Sequence, residues 1–302
     1  MKQILITGGT GLIGQALCEA LIQKGYHITV LTRDVHQRQR LFISQESITL
    51  IDSLQKIKSE TIFDAVVNLA GAPIAKRWTT AYKRTIVQSR INLTQTLIDT
   101  LARLKQLPQT LVSGSAIGFY GPQQDQELIE TSSFTPSFSH ELCQAWEDEA
   151  NRAKQLGIRV VNLRTGIVLS KRGGALARMR LPFQLGLGGP IGNGQQWMSW
   201  IHHEDIVRII QFCIEKEIEG PVNATAPFPV TNKVFASTYA KVLHRCACLP
   251  MPGWLLRLLM GQMAEELLLT GQRVIPDKLQ QTGFSFEYPI LEKALKNTEN
   301  SH

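Results

Sequence analysis

The residues with the clearest chemical potential stand at the head of the chain. Thr7-Gly8-Gly9-Thr10-Gly11-Leu12-Ile13-Gly14 spaces its glycines as G-x-x-G-x-x-G. Backbone that must turn sharply and approach a pyrophosphate closely has no room for a Cβ. A helix starting straight after such a turn aims free N–H groups at the phosphates. The motif follows a short apolar strand at Gln3–Thr7 and precedes a helical apolar period at Leu12, Ile13, Ala16, Leu17, Ala20 and Leu21. That context predicts a dinucleotide site, with Gly8, Thr10, Gly11, Leu12, Ile13 and Gly14 against the cofactor. The bland alternative is a tight turn without a ligand.

The second strand, His27–Leu31, bears on the choice of cofactor. NAD binders usually place a carboxylate about 20 residues past the glycines to hold the ribose 2′-hydroxyl. Here Thr32 stands at that place and Arg33 follows. A guanidinium there can stack on adenine or pair with a 2′-phosphate, and Arg38 and Arg40 lie close by in sequence. NADP is therefore expected, with NAD as runner-up through Asp34 should the register slip.

These groups need a scaffold. Further strands are expected at Ile48–Ile51, 63–69, 109–113, 159–164 and 222–224. Helical stretches are expected at 12–24, 79–105, 140–155, 203–214 and 232–243, and residues 118–139 read as a loop. The alternation predicts an α/β fold, a Rossmann-type doubly wound parallel sheet. A Leu/Met-rich stretch from Pro250 suggests a smaller, mainly helical C-terminal subdomain. The expected division is 1–245 and 246–302, with the Rossmann core at about 1–165 plus 199–225.

Composition sets the outer bounds. The 302 residues are 43% hydrophobic and 19% charged, which excludes a disordered chain. No apolar run reaches the roughly 20 residues of a membrane span. The best stretch, 254–269, is broken by Arg257, Glu265 and Glu266, and the N-terminus lacks a signal-peptide apolar region. Net charge is +7 with scattered basic residues, which suits a small anionic ligand better than nucleic acid. Cys18, Cys143, Cys213, Cys246 and Cys248 show no metal-ligand spacing and read as reduced thiols of a cytoplasmic protein. His202-His203-Glu204-Asp205 reads as a helix start, and no metal is expected. A homodimer is possible through the apolar stripe at 254–269.

The segment 7–14, Asn68-Leu69-Ala70-Gly71 at a strand end and the segment 113–121 together resemble a short-chain dehydrogenase/reductase of the extended, sugar-nucleotide-epimerase type. Arg77-Trp78-Thr79 with Ser89-Arg90, Ser199-Trp200-Ile201-His202 with Asp205, and the run 261–286 narrow the resemblance to the atypical epimerase-family proteins. Those carry their own C-terminal domain of unknown function, and the resemblance implies a smaller substrate subdomain formed mainly from the C-terminal part. The resemblance implies that Asn68, Ala70, Gly71, Arg90 and Ser113 join Thr32 and Arg33 around the cofactor. It also implies a Ser, a Tyr and a Lys as the reacting groups. Ser115 matches the serine, but Ser139 and Cys143 stand at the Tyr and Lys positions. A serine hydroxyl is a weak acid without a base, and a thiol carries no positive charge. Tyr120 is the substitute acid on this reading, or else a tyrosine packed on the cofactor. Lys83 and Arg90 share one helix and supply positive charge or a solvated face.

Two functions follow. One is an NADP-dependent oxidoreductase or epimerase acting on a small polar, possibly sugar-like substrate. The other is a catalytically silent NADP-binding regulatory or partner-binding protein, such as one linked to cell division. Met198, where such enzymes often place a diphosphate-binding Arg, weakens the case for a nucleotide sugar.

Overall fold

The computed structural model describes residues 2–35 and 47–300. Arg38 and Arg40 lie outside the described residues. The main sheet has seven strands, numbered in chain order: β1 Gln3–Thr7, β2 His27–Leu31, β3 Ile48–Ile51, β4 Ala65–Asn68, β5 Thr110–Ala116, β6 Arg159–Thr165 and β7 Gly220–Ala224. They lie in the order β7-β6-β5-β4-β1-β2-β3, every neighbouring pair parallel. The order reverses between β1 and β4, so a crevice opens outside the C-terminal ends of those two strands.

The strands are apolar on both faces because both faces are covered. Ile4 and Ile6 join one buried cluster with Leu17, Leu21, Ile206, Ile209 and Ile210. Leu5, one residue out of phase, joins the opposite cluster with Leu97, Leu101, Leu111 and Ala150. The same alternation splits Val67 from Val66 and Val161 from Val160. Helix α1, Leu12–Gln23, and the helix His203–Glu215 cover the first face.

Most expected elements appear with shifted ends. The expected strand 63–69 shortens to β4, and the expected 109–113 lengthens to β5, which carries Ser115 inside the sheet. The expected helix 140–155 begins earlier, as Phe138–Asn151, because the Ser137 hydroxyl caps it by accepting from His140 N at 3.1 Å. Ser139 thereby falls in a first helical turn. The expected 79–105 helix is interrupted: Thr80–Val87 and Leu93–Leu101 flank a π-helical turn at Gln88–Asn92.

The helix Gly174–Gln184 was not expected; glycines at its start and Pro182 inside it mask its period. It packs with Asn232–Val242 and the last helix, Leu291–Asn300, around Phe183, Trp200, Phe235, Tyr239 and Leu295. The C-terminal region is helical, with one short strand, Arg273–Val274, running parallel to Glu127–Leu128. Among the described residues no helix is long and apolar enough to cross a membrane.

Candidate functional site

The glycine turn is built as a cradle. Gly8 has φ +73°, and a Cβ there would lie 2.7 Å from Ala70 N and from Leu69 C. A Cβ on Gly14 would lie 2.2 Å from Gly8 O and 2.6 Å from Gly9 Cα. Helix α1, the turn and the β4 loop therefore pack backbone against backbone, as only glycine permits. Gly11 precedes α1 and its side offers no cap, and the first turn holds no acidic residue. The N–H groups at Leu12 and Ile13 thus have no helical carbonyl and no side chain to satisfy them. They face outward with the positive end of the helix, which fits a phosphate group. Thr10 and Ile13 are half-buried around this opening.

Beneath the crevice lies a buried polar lattice. Thr7 Oγ1 donates to Asn68 Oδ1 at 2.6 Å, while Asn68 Nδ2 donates to Thr94 Oγ1 at 2.8 Å and to Ser113 Oγ at 3.3 Å. Ala70 N donates to Thr7 Oγ1 at 3.3 Å, tying the β4 loop to β1. Asn68 and Ser113 are almost fully enclosed, so their side chains hold the frame. On the other side of β1, Leu31 pairs with Thr7, which puts Thr32 level with the glycine turn. Thr32 is buried and donates its N–H to Ile51 O at 2.8 Å, and Arg33 beside it is exposed.

Arg90 reaches the same crevice from the π-helical turn. Its guanidinium lies under Gly71, where a Cβ would come 2.8 Å from Cζ, and over the Trp146 ring at 5.2 Å. Its hydrogen bonds go to neutral acceptors: Ala72 O at 3.1 Å, Ile86 O at 3.4 Å and Ser89 Oγ at 3.4 Å. No carboxylate pairs with it among the described residues. Burial pulls its pKa down, opposed by Cys143 and Tyr82. A half-buried cation without an anion suits a negatively charged ligand.

Ser115 lies near the end of β5 and donates to Glu147 Oε1 at 2.7 Å. Glu147 is held in turn by Arg164, with Nε to Oε1 at 2.8 Å and Nη2 to Oε2 at 2.9 Å. Arg164 lies over the Phe119 ring at 3.3 Å and donates through Nη1 to Tyr120 Oη at 3.1 Å. Tyr120 is fully buried and donates to Asn223 Oδ1 at 2.7 Å. Burial pushes its phenol up to about 12, against the pull of Arg164. The structure thus places Tyr120 inside the frame with its proton committed. Cys143 touches Ser115, and burial raises its thiol to about 11, so it is neutral near pH 7. Ser139 donates to Glu266, and Lys83 donates to Gln262, both in the C-terminal region.

The remaining candidates have structural partners. Trp200 donates to Phe228 O at 3.2 Å and Trp197 to Asp125 Oδ1 at 2.8 Å. Asp205 accepts from the backbone N–H of Glu287 and of Tyr288, both at 2.9 Å. His202, His203 and Glu204 have ligand atoms within 4.8 Å of one another. However, His202 Nδ1 accepts from Glu204 N at 3.3 Å as an N-cap. Its Nε2 then carries the proton and has no lone pair for a metal. Sequence reasoning missed Asn223 and Glu266, whose partners are brought together only by folding.

Comparison with known proteins shows the family. The NAD dependent epimerase/dehydratase family matches residues 4–225, and a domain of unknown function (DUF1731) matches 251–298. "Epimerase family protein SSP1921" of Staphylococcus saprophyticus is 43% identical over 301 residues, covering 98% of this chain and 99% of its own length. "Epimerase family protein SAR0825" of Staphylococcus aureus is 40% identical over 299 residues, with 98% and 99% covered. The crystal structure of human epimerase family protein SDR39U1 (isoform 2) with NADPH has a TM-score of 0.89 at 34% identity, covering 99% of each chain. A UDP-N-acetylglucosamine 4-epimerase from Methanobrevibacter ruminantium shares the fold, with a TM-score of 0.78 at 18% identity, 98% of this chain and 96% of that one. The chain belongs to the NAD dependent epimerase/dehydratase family and carries the domain of unknown function DUF1731 at its C-terminal end.

Proposed function

We propose that the chain binds NADP(H) and acts as an oxidoreductase or epimerase on a small polar, sugar-like substrate. The observation that carries this reading is the glycine cradle beneath an uncapped helix start, with no acidic side chain at Thr32 and an exposed guanidinium at Arg33. The NADPH held by the human relative supports it. Gly8, Thr10, Gly11, Leu12, Ile13 and Gly14 would hold the pyrophosphate, Thr32 and Arg33 the 2′-phosphate end, and Ala70, Gly71 and Arg90 the nicotinamide half. Asn68 and Ser113 serve from beneath as the frame. The reducing state suited to five free thiols keeps the cytoplasm as the proposed location.

When bound, the nicotinamide supplies or accepts a hydride. The chain's own groups position what reacts. Ser115 gives its proton to Glu147, so its oxygen presents lone pairs and would accept from a substrate hydroxyl. Arg90 supplies the positive charge that the neutral Cys143 thiol cannot. Tyr120 keeps its proton within the Asn223–Arg164 network and serves the frame on this reading.

A second reading, a cofactor-binding protein without turnover, is favoured by Ser139 and Cys143 at the usual Tyr and Lys positions. NADPH offered with a broad panel of carbonyl compounds separates the two: oxidation followed by absorbance supports the enzyme, and tight binding with no oxidation supports the silent protein. Cofactor choice has its own test. Arg33→Asp should weaken NADPH binding by on the order of 10- to 100-fold, the worth of one charge-assisted hydrogen bond, and barely change NADH binding. Equal losses for both would reject NADP.

A further inference from the structure

Arg90 brings into the crevice a positive charge that no carboxylate among the described residues neutralises. Its guanidinium lies against the bare Cα of Gly71, an exposed residue just past β4, where a Cβ would come 2.8 Å from Cζ. Nη1 donates to Ile86 O and Ser89 Oγ, and Nη2 uses one of its two hydrogens on Ala72 O. Nε donates to nothing among the described residues and is open to solvent. The same guanidinium stands beside the reacting groups. It lies over the Trp146 ring at 5.2 Å. Gly114, next to Ser115, packs on that ring, with a built Cβ 2.9 Å from Cη2. Cys143 touches Ser115 and lies within the field of Arg90.

The simplest role for Arg90 is structural, tying the β4 loop to the π-helical turn Gln88–Asn92. A neutral amide could donate to the same carbonyls without the cost of desolvating a charge. Two further points call for an anion. The segment 65–98 contains Lys76, Arg77, Lys83, Arg84 and Arg90 but no Asp or Glu. Lys76 and Arg77 are exposed on the loop that follows Gly71, and Arg178 reaches that loop by donating to Ala75 O at 2.7 Å. A rim of one sign focuses its field into the crevice and draws in the opposite charge. The second point is that the nicotinamide ring carries no anion in either redox state: it is neutral when reduced and cationic when oxidised. On the reading above the pyrophosphate belongs to the glycine turn, so the anion that Arg90 lacks comes with the substrate.

We propose that Arg90 binds an oxyanion of the substrate, a carboxylate or a phosphate group, so that the sugar-like substrate is itself an acid. The inference rests on the enzymatic reading above. The oxyanion accepts from Nε and from the remaining hydrogen of Nη2, two charge-assisted bonds from a rigid, planar donor. With its acid group held there, the substrate turns its reacting hydroxyl toward Ser115. Lys76, Arg77 and Arg178 steer the acid in from solvent.

Two measurements on the full chain test this. The first is calorimetry on the NADPH-saturated protein with glycolate and with glycerol phosphate, each carrying a hydroxyl and an acid group, and with ethylene glycol and glycerol as their neutral partners. At least one acid should bind on the order of 10- to 100-fold tighter than its neutral partner, and Arg90→Met should remove the difference. The tighter acid names the source, glycolate a carboxylic acid and glycerol phosphate a phosphate ester. No binding of either acid overturns the proposal, as does equal binding to wild type and Arg90→Met. Acids that bind only the free protein and are displaced by NADPH put Arg90 on the cofactor's own phosphates; they overturn the proposal and leave NADP(H) binding standing. The second measurement compares NADPH oxidation by pyruvate with that by pyruvamide, and by glyceraldehyde phosphate with that by glyceraldehyde. A charged member should show the higher kcat/KM, Arg90→Met should erase the preference through KM, and Arg90→Lys should recover part of it. Equal kcat/KM for charged and neutral members overturns the inference and leaves the enzymatic reading standing. A wild type that binds NADPH and oxidises nothing in the carbonyl panel overturns that reading and the inference with it.

Discussion

Replacing Glu147 by alanine should destabilise the folded chain by about 3–5 kcal/mol, because it strands a buried guanidinium. Glu147 and Arg164 are almost completely enclosed, with side chains 6% and 4% exposed. Two parallel N–H···O bonds join them, and Ser115 adds a third bond to the carboxylate. Without Glu147, Arg164 keeps only neutral partners, Tyr120 Oη and Glu130 O, and the face of Phe119. None of these balances its charge. Urea unfolding at neutral pH measures the loss. Adding Arg164→Met to the alanine variant should restore part of it, since the pair removed together leaves no orphaned charge. A single variant as stable as the wild type would show that Arg164 finds water, and that the network is looser than its geometry.

Gly14→Ala should abolish useful dinucleotide binding without unfolding the sheet. The new Cβ would lie 2.2 Å from Gly8 O and 2.6 Å from Gly9 Cα, both backbone atoms, where ordinary contact begins near 3.4 Å. The start of α1 and the glycine turn must separate by on the order of 1 Å, since packed backbone has no slack to absorb the clash. The N–H groups at Leu12 and Ile13 then lose their aim at the phosphates. Two charge-assisted hydrogen bonds at about 1.5–3 kcal/mol each are worth on the order of 10²-fold in affinity or more. Calorimetry gives the affinity, and far-UV circular dichroism checks the fold. Gly25→Ala is the matched control. Gly25 has φ +79° with no atom within 4 Å of a built Cβ, so its replacement should cost about 1–2 kcal/mol of stability and leave binding intact. Equal affinities for Gly14→Ala and wild type would remove the reason for the glycine.

What the sequence revealed and what it hid divide along physical lines. The glycine turn, β1, β2 and β3 were legible because local geometry dictates them: apolar runs for buried strands, glycine where a Cβ cannot fit. The interrupted helix around Arg90 was not, because a π turn adds a residue without disturbing the apolar pattern enough to show. Gly174–Gln184 hid behind glycines and a proline that normally mark loops. The site was half visible. Ser115 could be found through the family resemblance, but the lengths of β5 and of the loop after it depend on tertiary pairing. Tyr120 reads in the sequence as a substitute acid or as a tyrosine packed on the cofactor, whereas its partner Asn223 is 103 residues away. Glu266 meets Ser139 across 127 residues. No local pattern marks such pairs; they exist only once the C-terminal region has closed on the sheet.

The claim beneath all of this is that the crevice between β1 and β4 holds a phosphorylated dinucleotide. Isothermal titration of the intact chain with NADPH, and separately with NADH, tests it most directly. Saturable binding at a single site, tighter for NADPH, is the expected result. No association with either dinucleotide would contradict it.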